Sequence, residues 1–433
     1  MHKRGLWLAR LLASATLCAV GIGCGVFDDN GSSSLAVEPL GSQFTLACVS
    51  PNGSGGVSVH ATGDGGFALV IAEADGATDQ SLVLHRFDTA TETFAAPKRV
   101  LGPSADAFLG VHSCMSGDGS LVISWQSGRD LSNVFAGKFL DILDTHFVRV
   151  SGDAPAPEAV VQANVNTVGR QANSHLSCLR DGGVALTWQS RCTAVERIGI
   201  AWVSFRPDEC DSEPPEGLYL GRFGRDGLAT ESAQLVSPAG GSRVPREAAI
   251  AAISDGRFVV VAGKQVQVYG RDGLLQDTRS LLLGGQRDDP ELFCLGDISC
   301  VVKVGAGAEI IDLGTPADTL TLTLKANSSE ALPDGTTAQI VATRPDMACD
   351  DSGLCIGTWR LERDTQIYDV FETASLGVFA RGFDARSRRL GEEFALTDFD
   401  GAQDIEVWPI GSNTFVVAAA LNGQTIIQRL RLR

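Results

Sequence analysis

Histidine, tyrosine and basic charge are all scarce in this chain, and each shortage removes a class of function. Six His, one of them His2 ahead of any folded segment, leave little material for imidazole-rich metal or acid–base centres. Three Tyr within a 6% aromatic content are few for a surface that stacks sugars or single-stranded bases. Thirty-five Lys+Arg against 52 Asp+Glu give net −17, the wrong sign for coating nucleic acid. No Gly-x-Ser-x-Gly, His-Glu-x-x-His or phosphate-binding loop occurs, so the common nucleophile, zinc-peptidase and nucleotide signatures are missing. What is plentiful is apolar residues, at 44%, and glycine, at 49 residues. That mixture describes a folded chain with a large core.

The amino terminus reads as a targeting segment. Lys3, Arg4 and Arg10 accompany an apolar stretch over 11–22, too short to span a bilayer permanently, and Gly21-Ile22-Gly23-Cys24 follows. These residues resemble the bacterial lipoprotein signal, in which small residues precede a Cys that is acylated after cleavage. Gly21 stands where that signal usually has an aliphatic residue. The resemblance implies a signal peptide over 1–23, lipid on Cys24 and an outer-membrane anchor, facing the periplasm or the surface; plain secretion is the alternative. Asp28-Asp29-Asn30-Gly31-Ser32-Ser33-Ser34 completes a flexible tether over 24–34. Once the three leader cations are removed the body carries about −20, so lipid rather than a basic patch would hold it to an anionic membrane.

Eleven Cys point to an oxidising compartment. Cys294 and Cys300 flank one polar turn and Cys349 and Cys355 flank another at the same spacing, so each pair can meet across a hairpin. Cys192 and Cys210 are a third candidate, closing a long polar insertion. Zinc would need convergent spacing of the Cys-x-x-Cys kind, which two separate hairpins do not supply. Cys48, Cys114 and Cys178 are left over, an odd number without a readable pairing.

Internal repetition is the strongest signal. Seven apolar runs recur: Phe67-Ala-Leu-Val-Ile71, Leu121-Val-Ile-Ser-Trp125, Val184-Ala-Leu-Thr-Trp188, Phe258-Val-Val-Val-Ala262, Cys300-Val-Val-Lys-Val304, Cys355-Ile-Gly-Thr-Trp359 and Phe415-Val-Val-Ala-Ala419. Asp-Gly turns precede several of them, at Gly63-Asp64-Gly65, Gly117-Asp118-Gly119, Asp181-Gly182-Gly183 and Asp255-Gly256. Such turns supply positive φ at low cost. A third strand ending in Arg-Phe or a relative follows most runs, as at Leu82–Phe87, Val134–Phe139, Leu218–Phe223, Val266–Arg271, Val378–Phe383 and Ile426–Leu430. In the fifth unit Ile310–Leu313 takes that place.

The stretches Asp181-Gly-Gly-Val-Ala-Leu-Thr-Trp188, Gly217-Leu-Tyr-Leu-Gly-Arg-Phe223 and Gly377-Val-Phe-Ala-Arg-Gly-Phe-Asp384 resemble tandem β-propeller repeats of bacterial secreted and surface proteins. The resemblance, over most of 43–433, implies an all-β, seven-bladed propeller spanning 35–433 and is nearly silent on chemistry. A two-sheet sandwich is the alternative, though it gives no reason for one motif recurring seven times. Because the last unit stops at Arg433 after its third strand, residues 35–46 are expected to pair with it as a Velcro strand that covers the open edge.

Function is sought where the chain departs from its repeat. Units three and six carry insertions between second and third strands, over 189–217 and 360–376. Trp202, Phe205, Arg206, Arg360, Arg363 and Tyr368 in them are residue types favoured in recognition surfaces. His60, His112 and His175 fall in first strands of consecutive units, where packed histidines or a metal site are the choices. His60 lies four residues before Asp64 and the other two six before Asp118 and Asp181, so their depths differ and packing is favoured. Trp125, Trp188 and Trp359 are expected to pack blade against blade. The reading is a non-catalytic, monomeric envelope protein without cofactor, recognising a protein or glycan through its insertion face. A polymer-cleaving hydrolase or lyase with paired channel carboxylates is the rival.

Overall fold

All seven apolar runs are strands, each the second strand of a unit built on antiparallel hairpins. The computed structural model describes residues 35–433 except 48–56, 63–65, 76–78, 105–107, 129–137, 140–142, 152–156, 165–169, 192–193, 199–200, 206–214, 239–247, 283–289, 297–298, 305–306, 314–318, 324–327, 332–336, 368–369, 388 and 422–423. Its fold is all-β, with antiparallel sheets; among the described residues one parallel contact, Leu143 to Arg170, joins units two and three. Among the described residues the regular non-strand structure is one short 3-10 turn, Thr397–Phe399, and no helix is long and apolar enough to cross a membrane.

Unit four shows the pattern in its plainest form. Ala248–Ala252, Phe258–Ala262, Gln265–Tyr269 and Leu275–Ser280 pair in sequence order, each with the next. The turns joining first to second strands in units two, three, four and six share one geometry. At Ser116–Ser120, the Ser116 amide donates to the Ser120 carbonyl at 2.8 Å and the Gly119 amide to the Ser116 carbonyl at 2.9 Å. Gly119 and its counterpart Gly182 sit at φ of +79° and +84°, where a Cβ would be strained. The preceding Asp carboxylate accepts the amide two residues on, 3.0 Å for Asp118 and 2.9 Å for Asp181. Bonds from Ser120 hold the Asp118 carboxyl at a pKa of about 2, with Arg225 and Arg149 assisting.

Second strands are apolar on both faces because both are covered. Ala68, Val70 and Ala72 pack with Leu121, Ile123 and Trp125 of unit two. The alternate residues Phe67, Leu69 and Ile71 pack with Val416, Ala418 and Ile427 of unit seven. The same sharing joins units two and three through Val122 and Trp188, three and four through Ala185 and Phe258, and four and five through Val259 and Val302. Val301 and Trp359 join five to six, and Ile356 and Phe415 join six to seven. Trp125, Trp188 and Trp359 all lie in these shared cores. Arginines reinforce the joints: Arg149 donates to the Gly182 carbonyl at 2.7 Å, Arg222 to the Arg271 carbonyl at 2.7 Å, and Arg225 meets Asp118 at 2.8 Å.

First strands stand beside one another in order. Val57–Ala61 lies against Leu109–Met115, that against Arg170–Cys178, then Ala248–Ala252, Glu291–Leu295, Thr337–Cys349 and Gln403–Gly411, which lies against Val57–Ala61. The chain's early segment meets its end. Val37 pairs with Leu432 and Pro39 with Leu430, while Phe44 pairs with Ile427 and Ala47 with Gln424. Two short strands thus cover the outer edge of Gln424–Leu432, the pairing expected of the segment near 35–46.

Three features depart from the sequence reading. The third strand of unit two is Leu143–Val150, paired residue by residue with Leu121–Gly128, and not 134–139. Lys138–Phe139 pairs instead with Ala194–Ile198, part of the unit-three insertion. Both stretches end in a basic residue followed by an apolar one, Lys138-Phe139 and Arg149-Val150, and the pairing partner distinguishes them. The unit-six insertion is no loop: Leu354–Ile367 and Val370–Asp384 continue as one hairpin from Leu361 to its tip, with Glu362 opposite Ser375 and Ile367 opposite Val370. Finally, where the sequence left the pairing open, Cys114 and Cys178 form a disulfide between neighbouring first strands, Cα atoms 5.6 Å apart.

Cys294–Cys300 and Cys349–Cys355 are bonded as expected, each pair directly opposite across its hairpin at 4.0 Å between Cα atoms. Cys24, Cys48, Cys192 and Cys210 lie outside the described residues. Sequence separations of 64 for Cys114–Cys178 and 6 for Cys294–Cys300 give unequal loop-closure terms. Replacing both Cys114 and Cys178 by Ser should cost about 4 kcal/mol, and the Cys294 and Cys300 pair about 2 kcal/mol. Denaturant unfolding of the two double variants checks the order; equal losses would contradict it.

Candidate functional site

The row of first strands gathers titratable groups that lie far apart in sequence. On one stretch of it stand His60, His112 and His175 from units one to three; on another stand Glu291, Asp346 and Glu406 from units five to seven.

The histidines are half-buried and enclosed by neighbouring strands. Ser113, one residue beyond His112, donates its amide to Ser58 Oγ at 3.1 Å and its hydroxyl to the same oxygen at 2.8 Å, tying units one and two. The Ser113 backbone also bonds His60, and burial nevertheless pulls the His60 pKa down to about 4. His112 and His175 stack with ring centroids 4.4 Å apart and planes tilted by 33°. Burial brings His112 to about 4, and His175 falls well below the ordinary value through burial and the charge of His112. These are packed, neutral imidazoles at pH 7. Among the described residues no group of three or more His, Cys, Asp or Glu is arranged to hold a metal ion.

The acidic stretch is organised around a buried lysine. Lys303, on the second strand of unit five (Ser299–Val304), donates to Glu291 Oε1, and its Nζ lies 3.9 Å from Asp346 Oδ1. Asp346 Oδ2 accepts the Val407 amide at 2.5 Å and Glu291 Oε2 accepts the Met347 amide at 3.2 Å. Burial, then the charge and hydrogen bond of Glu291, hold the Asp346 carboxyl well above the usual range against the pull of Lys303. Asp346 is therefore held toward its neutral, protonated form, hydrogen-bonded to Glu291. A hydrogen-bonded pair is too close for glycoside hydrolysis, which needs roughly 5 Å or more between carboxyls.

The recognition candidates from sequence fall on two different sheets. Trp202 and Phe205 belong to Ala201–Phe205, in a three-stranded sheet with Ala194–Ile198 and Lys138–Phe139. Arg360 and Arg363 belong to the long unit-six hairpin. Both are ion-paired: Arg360 Nε lies 3.1 Å from Glu362 Oε1 and an Arg363 terminal nitrogen 2.9 Å from Glu330 Oε2. Arg206 and Tyr368 lie outside the described residues. The Glu291–Lys303–Asp346 cluster was not singled out from sequence, although Lys303 interrupts an otherwise apolar second strand and so marked it.

An imidazole with a lower pKa in the fold than in the open chain binds protons preferentially when unfolded. Stability present above about pH 6.5 is therefore lost as pH falls toward 4. Asp346 acts in the opposite sense, its contribution fading as pH rises above the ordinary carboxylate range. Between pH 7 and 5, unfolding measurements should show the His112→Gln protein losing less stability than wild type, by on the order of 1–2 kcal/mol. Parallel pH profiles would refute the assignment of burial to His112.

No protein-family model matches this chain, and no curated protein does. Solved structures are similar at low identity. One is a protein of unknown function from Dyadobacter fermentans, 14% identical, covering 76% of this chain and 95% of its own, with a TM-score of 0.42. Another is BBS1N, from its complex with ARL6DN in a mercury-soaked crystal, 13% identical over 93% of this chain and 97% of its own, TM-score 0.41. At those scores neither likeness bears on what this chain does.

Proposed function

We propose that the chain is a seven-bladed β-propeller, exported and lipid-anchored at Cys24, that serves as a non-catalytic recognition or scaffolding protein of the bacterial envelope. Closure is supported by the first strands, which follow one another in order and return to the first, and by the shared cores that link each unit to the next. The amino-terminal strands on Gln424–Leu432 then act as the Velcro that removes the edge left by the last unit. The three disulfides among the described residues agree with an exported location.

The observation that carries the recognition reading is the unit-six hairpin. Its strands run to 14 and 15 residues, against five for each of the corresponding strands of unit four. Val370–Asp384 pairs with Arg389–Ala395 only from Phe379 to Asp384, so among the described residues its outer edge from 370 to 377 has no partner strand. Thr373, Ala374, Ser375 and Leu376 on that edge are exposed. An exposed edge is a template for strand addition, in which backbone bonds supply affinity and alternate side chains supply choice. The partner proposed is an extended protein segment in the envelope.

Two measurements test this. Full-length protein should fractionate with membranes and Cys24→Ala protein should be released to the soluble fraction. Mature protein should retain an envelope partner that a form with residues 362–375 replaced by a short turn fails to bind. Equal binding by both folded forms would remove the hairpin from the interface.

A further inference from the structure

Lysine in the second strand of a unit needs a physical reason. Every other anchor run places apolar, Ser, Thr or Gly side chains there, and Val301 and Val302 beside Lys303 are fully buried. The Lys303 side chain is only 7% exposed, Asp346 13% and Glu291 28%. Leaving a buried ammonium and carboxylates in an apolar setting is costly even when they are paired. The surroundings are apolar: Val301 and Met347 share one core between units five and six, and Val302 lies in the core between four and five.

We infer that Lys303 and Asp346 are joined by an isopeptide bond, formed within the folded chain with Glu291 moving the protons, so that units five and six are covalently cross-linked. Each requirement of the condensation has an atom in place. Glu291 Oε1 already accepts a hydrogen bond from Lys303 Nζ, and it takes the ammonium proton to leave a neutral amine. Asp346 is held as the carboxylic acid by burial and by Glu291, with Glu406 acting in the same direction. A neutral carboxylic acid is the form of this group that an amine attacks. Nζ adds to the Asp346 carbonyl carbon while the Val407 amide holds Oδ2, the oxygen that becomes the oxyanion, at 2.5 Å.

Glu291 then relays a proton from the attacking nitrogen to Oδ1, the oxygen facing Lys303. The carbon–oxygen bond breaks and one water leaves. The balance is one amine and one carboxylic acid to one secondary amide and one water, with no oxidant or energy donor. Glu291 retains the proton first taken from Lys303 and ends as the neutral acid, able to bond the new amide. An ammonium–carboxylate pair in a poor solvent for charge is thereby replaced by neutral groups, which supplies the direction of the reaction. The fixed juxtaposition of amine and acid supplies its rate.

Mass spectrometry of the purified mature protein, reduced and digested with trypsin, decides the matter. The expected result is a branched peptide that unites the segments carrying Lys303 and Asp346, one water lighter than their sum and uncleaved after Lys303. Glu291→Gln and Lys303→Met proteins should yield the two segments as separate linear peptides. Wild-type protein that yields linear peptides for both segments would overturn the cross-link, whatever the variants do. Full linkage in the Glu291→Gln protein would overturn the proton-transfer role of Glu291.

Discussion

The second strands of the repeated units depend on a neighbour at each face. A strand such as Phe67–Asp75 presents Phe67, Leu69 and Ile71 to one side and Ala68, Val70 and Ala72 to the other, and all six are buried. A single four-stranded unit can cover neither face by itself, so burial is available only between units. At roughly 25 cal/mol per Å² of apolar surface removed from water, these shared interfaces are the main stabilising term of the fold. A consequence is that any unit left with an uncovered face or edge would be a defect in the whole. The strands Val37–Pro39 and Phe44–Ala47 are laid along Gln424–Leu432.

Polar chemistry settles where the packing permits it. Asp residues in the hairpin turns satisfy backbone amides, and arginines reach from one unit to carbonyls of the next, so the turn ends are locked electrostatically while the sheet interiors are locked by packing. The row of first strands is different, because it brings side chains from all units close together. There imidazoles from units one to three sit neutral, and carboxylates from units five to seven sit around Lys303. Burial shifts His60, His112 and Asp346 toward their uncharged forms. The same physics that makes these groups poor candidates for a hydrated active site makes the Lys303–Asp346 pair suited to condensation.

Much of the architecture was legible from residues. The seven anchor runs are second strands because a strand covered on both sides must be apolar throughout, a pattern visible without structure. The Asp-Gly turns and the cross-hairpin cysteines were legible for similar local reasons: positive φ selects Gly, and a short hairpin puts Cys294 opposite Cys300. The third strand of unit two was misplaced because residues 134–139 and 143–150 both carry a suitable pattern. The insertion at 360–376 shows in the sequence only as a departure from the repeat, because its polar residues do not reveal that the hairpin continues through it.

What the sequence determined by itself, then, is the repeating unit, its second strands and turns, and an acidic composition. Those features are local, since they follow from periodicity and backbone preference within a few dozen residues. The tertiary structure alone decided which distant groups meet: Cys114 with Cys178, His112 with His175, Lys303 with Glu291 and Asp346. Each of these contacts joins neighbouring strands, and several cross from one unit to the next. Register between separate units is set by packing between their faces, a three-dimensional fit that no spacing along the chain encodes.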